Sequence, residues 1–156
     1  MTIAAILGID VTAQSTTPEF IPGQLGVVTG STGTKIYKYL KYDDASAAVD
    51  GVAGEVAYYY TLDGYKNHVC TSDLSDSVEI GAGVIQANIA TETYGWFQIK
   101  GAATLTIALT AGADGDPLTA TGAADGTLDV SSAATDIVCA IAGDISDKEI
   151  ICDFPM

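Results

Sequence analysis

The chain has one histidine, His68, and one of its three cysteines, Cys70, stands two residues away. On a strand, residues two apart share a face, so this pair has the spacing of a thiol activated by an imidazole. That chemistry needs a third group to orient the ring, and the sequence marks none. A serine triad would also have to use His68, and the nucleophile pattern G-x-S-x-G is absent. Arginine is absent as well. The reading is a surface or partly packed histidine beside a structural thiol. No catalytic residue is expected, and the chain reads as a non-enzyme.

Metal and phosphate chemistry have similarly thin support. GADGDP (112–117) brings two aspartates among glycines, but the EF-hand spacing and its closing glutamate are missing. Gly and Asp are what tight turns use, so the run reads as a turn. TGSTGTK (29–35) ends like a phosphate loop with the wrong spacing. No metal and no cofactor are expected.

Aromatic residues remain. All eight tyrosines lie between Tyr37 and Tyr94, and Tyr58, Tyr59 and Tyr60 are contiguous. Alternation sends Tyr58 and Tyr60 one way and Tyr59 the other, so one side is expected to be exposed or at an interface. The only tryptophan sits in YGWFQIKG (94–101), with Tyr94, Trp96, Gln98 and Lys100 on one face and Phe97 and Ile99 on the other. Two readings compete for Trp96: an exposed platform for a sugar, or a large rigid contact in a β-fold.

The elements that position these residues are strands. Charged residues make up 17% of the chain against about 25% in ordinary soluble domains. Ala, Thr, Gly and Ser fill the gap and favour short strands with tight turns over long helices. TKIYKYLKYDD (34–44) reads as a strand, and ASAAVDGVAG (45–54) as a connection or one helical turn. EVAYYYTLDGYKNHV (55–69) reads as a hairpin turning at Asp63-Gly64. GVIQANI (83–89) alternates. YGWFQIKG and AATLTIALT join into one long strand bent at Gly101. IVCAIAG (137–143) and KEIICDF (148–154) read as two last strands, mostly buried. The total is roughly eight to ten short strands, hence an all-β fold, a small β-barrel or β-sandwich. Cys139 and Cys152 fall on those last strands as candidate neighbours, without a predicted disulfide.

Residues 1–33 read differently. Rich in Thr, Ser, Gly and Pro, they form an extended N-terminal arm with apolar anchors, and residues 34–156 form a single β-rich body. Charge divides the same way. Residues 1–42 carry +1 and residues 43–156 carry −15 of the total −14. Such an acidic chain repels phosphate backbones and anionic lipid, so nucleic acid and membrane are not expected partners. The start lacks a basic region, so it is no secretory signal.

GAGVIQANI, YGWFQIKGAATL, the turn and short strand GADGDPLTA, and IVCAIAGDI follow one another in an order that resembles the capsid cement (decoration) proteins of tailed bacteriophages. The resemblance covers about 75 residues, with YGW-Q-G its most specific block. It implies a structural virion protein on the outer capsid surface, made in the host cytoplasm. Such a protein clamps neighbouring major capsid subunits, often as a homotrimer. On that reading the near-neutral arm lies on the capsid through Phe20, Ile21, Leu25, Val27 and Val28. Tyr58, Tyr59, Tyr60, Tyr94 and Trp96 then form the subunit interface. Deleting residues 1–33 is expected to leave the body folded. The alternatives are a carbohydrate-binding β-sandwich adhesion module on a virion, and a tail or head-fibre subunit.

Overall fold

The structure, a computed structural model, describes residues 6–44, 49–61 and 64–156. The early apolar run (1–5), part of the 45–54 connection and Asp63 of the expected Asp63-Gly64 turn lie outside the described residues. Strands account for 45% of the chain and helix for 5%, so the all-β expectation is met.

Eleven strands occur among the described residues: β1 (Ile6–Leu7), β2 (Leu25–Gly30), β3 (Gly33–Tyr42), β4 (Val56–Tyr60), β5 (Val69–Thr71), β6 (Ser77–Ile85), β7 (Thr93–Thr104), β8 (Pro117–Thr119), β9 (Asp129–Val130), β10 (Val138–Asp144) and β11 (Glu149–Asp153). A four-residue helix, α1 (Gly64–Asn67), and a 3-10 turn (Leu74–Asp76) complete them. The hairpin read over 55–69 is present as β4 and β5, paired antiparallel at Tyr58↔Thr71 and Tyr59↔Cys70. Its connection carries α1.

Five strands close on themselves in the order β3-β5-β4-β6-β7 and back to β3. Each contributes to one buried cluster, Leu40 and Tyr42, Ala57 and Tyr59, Cys70, Ala82 and Ile85, and Phe97, which fills the barrel. Closure removes the unpaired edges that an open sheet of this size would expose.

β7 explains the rest of the architecture. Its first half pairs with β3, and its last residues, Lys100 to Thr104, pair with β11. At the changeover stands Gly101 at φ +95, where a Cβ would lie 3.1 Å from the Thr34 carbonyl. Only glycine takes this backbone at no steric cost, and the strand bends there. β11 then pairs with β10, β10 with β8, and β8 with β9.

This second sheet covers the outside of the barrel. Val56, Tyr58, Val84 and Ile99 from the barrel pack with Leu118, Cys139, Ile150, Cys152 and Phe154. β4 is thus buried on both faces, Tyr58 towards the second sheet and Tyr59 into the barrel. A strand buried on both sides reads as an unbroken apolar run, and VAYYY is one.

Candidate assembly surface

The chain itself buries most of the residues expected at a subunit interface. Tyr58 and Tyr59 are wholly buried and Trp96 is 3% exposed. The expectation that one side of the YYY run faces outward is corrected: both sides of β4 are covered. Tyr60 and Tyr94 are half-buried. Trp96 shares its cluster with Tyr37 and Tyr39, opposite Phe97 as alternation required.

The cover over Trp96 is the N-terminal segment. The Phe20 ring lies 5.1 Å from Trp96 and 5.2 Å from Tyr39. Ile9, Val11 and Val28 pack on the same cluster. Ser15 bridges to Tyr94 backbone to backbone, and the Gly23 N–H donates to the Tyr39 carbonyl at 2.7 Å. A Cβ on Gly26 would sit 2.4 Å from Ile9 and 3.0 Å from Trp96, so the seat is closed tightly. Phe20, Leu25, Val27 and Val28 are half-buried against their own chain, and of the five expected arm anchors only Ile21, 53% exposed, points to solvent. Residues 8–30 are therefore a docked layer of the fold and not a free arm.

The exposed apolar surface lies elsewhere. Ile141 on β10 stands directly opposite Ile151 on β11, and the two are 44% and 51% exposed. Ile137 and Val138, earlier in the same stretch of chain, are also exposed, at 45% and 46%. Alternation accounts for the isoleucine pair: Ala140, Ala142, Ile150 and Cys152 turn inward, so Ile141 and Ile151 turn out. Sequence reading placed both strands mostly inside and missed this face. The signal was the Ile150-Ile151 doublet, because a strand with one covered face must send one of the pair to water.

Cys70 and His68 share no hydrogen bond among the described residues. The Cys70 thiol is buried in the barrel, donates to the Lys41 carbonyl at 3.4 Å, and is pushed well up by burial. His68 takes a left-handed backbone, φ 59, with its ring where a Gly23 Cβ would stand, 2.5 Å away. Its Nδ1 meets no hydrogen-bond partner among the described residues. Burial first, and then the Lys38 charge, hold the imidazole below its usual range, so it stays neutral. Cys139 and Cys152 are free thiols pushed up to about 12 by burial. In the GADGDP loop Asp116 accepts the Ala113 N–H at 2.8 Å and Asp114 accepts that of Ile145 at 2.9 Å, which is turn chemistry.

Lys38 is the polar residue that sequence reading passed over. It shares the barrel-facing register of Leu40 and Tyr42, which was the available signal. At 3% exposure, its ammonium donates to the Tyr59 hydroxyl at 2.8 Å and lies over the Tyr59 and Tyr65 rings at 5.3 and 5.4 Å. A cleft of about 250 Å³ lined by Gly23, Leu25, Tyr65 and His68 reaches it. Burial pulls its pKa from 10.5 down to about 8. A lysine with a depressed pKa binds fewer protons folded than unfolded, so its contribution to stability rises with pH between about 8 and 10.5. Wild type is therefore expected to gain about 1–2 kcal/mol on Lys38→Met across that window. Urea midpoints of both proteins at several pH values measure the difference, and parallel profiles would refute it.

No family model, no curated protein and no solved structure matches the chain. What stands on the chain's own geometry is an all-β barrel, backed by a second sheet whose outer hairpin presents apolar side chains to water.

Proposed function

We propose that this protein is a structural component of a tailed-phage virion. It binds the outer surface of the capsid and clamps neighbouring major capsid subunits. The observation that carries the reading is the outward Ile141–Ile151 pair on a chain of net charge −14. Contiguous exposed apolar side chains mark protein contacts, and the surrounding acids keep the rest of the surface soluble. The resemblance in YGWFQIKG and its neighbours directs the reading to a capsid. A homotrimer suits the role. Three copies that each bury about 800 Å² on the shell hold by avidity even when one contact is weak. The sugar-binding alternative needs Trp96 as a platform, and that ring lies beneath Phe20.

The test is an Ile141→Asp/Ile151→Asp variant, checked for native circular dichroism, then mixed with expanded capsids and sedimented. Both positions face water, so the fold is expected to survive. Capsid binding is expected to fall at least tenfold, the loss that follows when about 1.4 kcal/mol or more leaves the contact. Light scattering on the free protein separates the two partners. A variant that stays trimeric but leaves the capsid assigns the face to the shell, and one that falls to monomer assigns it to the sister subunit. Undiminished capsid binding by the variant would refute a role for this face.

A further inference from the structure

Asp44 follows β3 by two residues, and its side chain is 3% exposed. Its Oδ2 accepts the Val49 N–H at 2.9 Å. Its Oδ1 is buried and meets no hydrogen-bond donor among the described residues. Two further carboxylates converge on it from the 3-10 turn between β5 and β6. Asp73 caps that turn, its Oδ1 accepting from the Ser75 N–H at 2.8 Å and the Ser75 hydroxyl at 2.7 Å. Asp76 ends it. One oxygen from each of Asp44, Asp73 and Asp76 lies within 4.8 Å of the other two. A cleft of about 190 Å³ meets this group and is also lined by Ser72, Glu55 and Asp125, with no lysine on its wall.

Carboxylates this close repel one another, and a buried one has no water to screen it. An unpaired buried acceptor calls for a donor or a cation, and the lysine nearest in sequence, Lys41, is bound to Asp43 and Glu92. We infer that Asp44, Asp73 and Asp76 hold a divalent cation, Ca²⁺ by preference. Two oxygens that share one Ca²⁺ at 2.3–2.6 Å stand at most about 5 Å apart, which the trio satisfies. The donor set is oxygen only, without His or Cys, so it suits a hard cation over Zn²⁺. It is drawn from a strand end and an irregular turn, which suits the loose coordination of Ca²⁺ more than the octahedron of Mg²⁺. The Ser72 hydroxyl, bonded to the Tyr42 hydroxyl at 2.9 Å, stands beside the group as a further oxygen.

The ion's position gives it a task. β3 and β5 close the barrel through a short parallel ladder, Lys41↔Val69 and Tyr42↔Cys70. Asp44 follows one of these strands and Asp73 the other, so an ion between them ties the seam just past its last pair.

Terbium luminescence on the full chain, sensitised by Tyr42, reads the site directly. Saturable emission at one ion per chain is expected, displaced by Ca²⁺ and only weakly by Mg²⁺. Asp73→Asn/Asp76→Asn is expected to abolish it, while Asp114→Asn in the distant turn keeps it. Ca²⁺ at about a hundredfold excess over its Kd is expected to raise the melting temperature of wild type by roughly 5–10 °C over EDTA at matched ionic strength. Both wild-type measurements decide the matter even where the double variant does not fold. Absent or non-saturable Tb³⁺ emission overturns the inference. So does emission retained in a folded double variant, or a thermal shift that NaCl reproduces.

Discussion

A chain trimmed to residues 34–156 is expected not to fold stably. β2 runs along β3 through six register pairs, from Leu25↔Lys38 to Gly30↔Gly33. The segment before it roofs Tyr37, Tyr39 and Trp96, which are 4%, 2% and 3% exposed in the intact chain. Stripping that roof returns three aromatic faces to water at about 1.5–3 kcal/mol each. The sum is of the order of a small protein's whole stability, about 5–15 kcal/mol. The sequence-level expectation was the reverse, a body that survives loss of its arm, and the docked Phe20 is why it changes. The thermal melt of the trimmed chain, followed by circular dichroism, measures the effect. A cooperative transition within a few degrees of wild type would show that the roof is dispensable. The result also governs how capsid binding is tested: truncation removes fold and contact together, so substitutions on the outer hairpin are the cleaner instrument.

Tyr58→Phe carries the second large effect, about 2–4 kcal/mol of lost stability for one oxygen atom. The Tyr58 hydroxyl accepts the buried Thr127 N–H at 2.9 Å. Its own hydrogen is shared between the carbonyls of Ala124, at 3.0 Å, and Thr127. Burial raises this phenol far above its ordinary range, so it remains a donor at any physiological pH. Phenylalanine fills the same space and leaves one N–H and two carbonyls without that partner. Thr127 in turn donates from its hydroxyl to the Ala108 carbonyl at 2.9 Å, so the loss reaches the two loops that flank β8 and β9. Guanidinium unfolding of the variant is the measurement. A midpoint shift worth under about 0.5 kcal/mol would show that water takes over the lost bonds.

Much of the fold was legible because local rules and tertiary structure agreed. The strand bent at Gly101 follows from alternation on either side of a glycine, and β7 has that bend, though it ends at Thr104 and leaves the rest of AATLTIALT outside any strand. The last hairpin follows from two apolar runs around a polar turn, and β10 pairs with β11. The readings diverged where burial depends on what covers a face, which periodicity does not encode. Alternation separated Trp96 from Phe97 correctly, but only the return of Phe20 from 76 positions upstream decides that the Trp96 side is also inside. The same gap explains Tyr58 and Tyr59, buried on opposite faces by two different layers. It explains Ile141 and Ile151 as well, apolar yet uncovered. The convergence of Asp44 with Asp73 and Asp76 had no sequence signal, since about thirty residues separate the partners and a strand pairing brings them together.

β7 belongs to two sheets at once, pairing with β3 and β6 as far as Lys100 and with β11 from Lys100 onward. The barrel and the outer hairpin are therefore spliced along one continuous backbone as well as packed through their shared side-chain cluster. The outer hairpin therefore cannot come away from the barrel by parting side chains alone, because the β11–β7 ladder has to break as well.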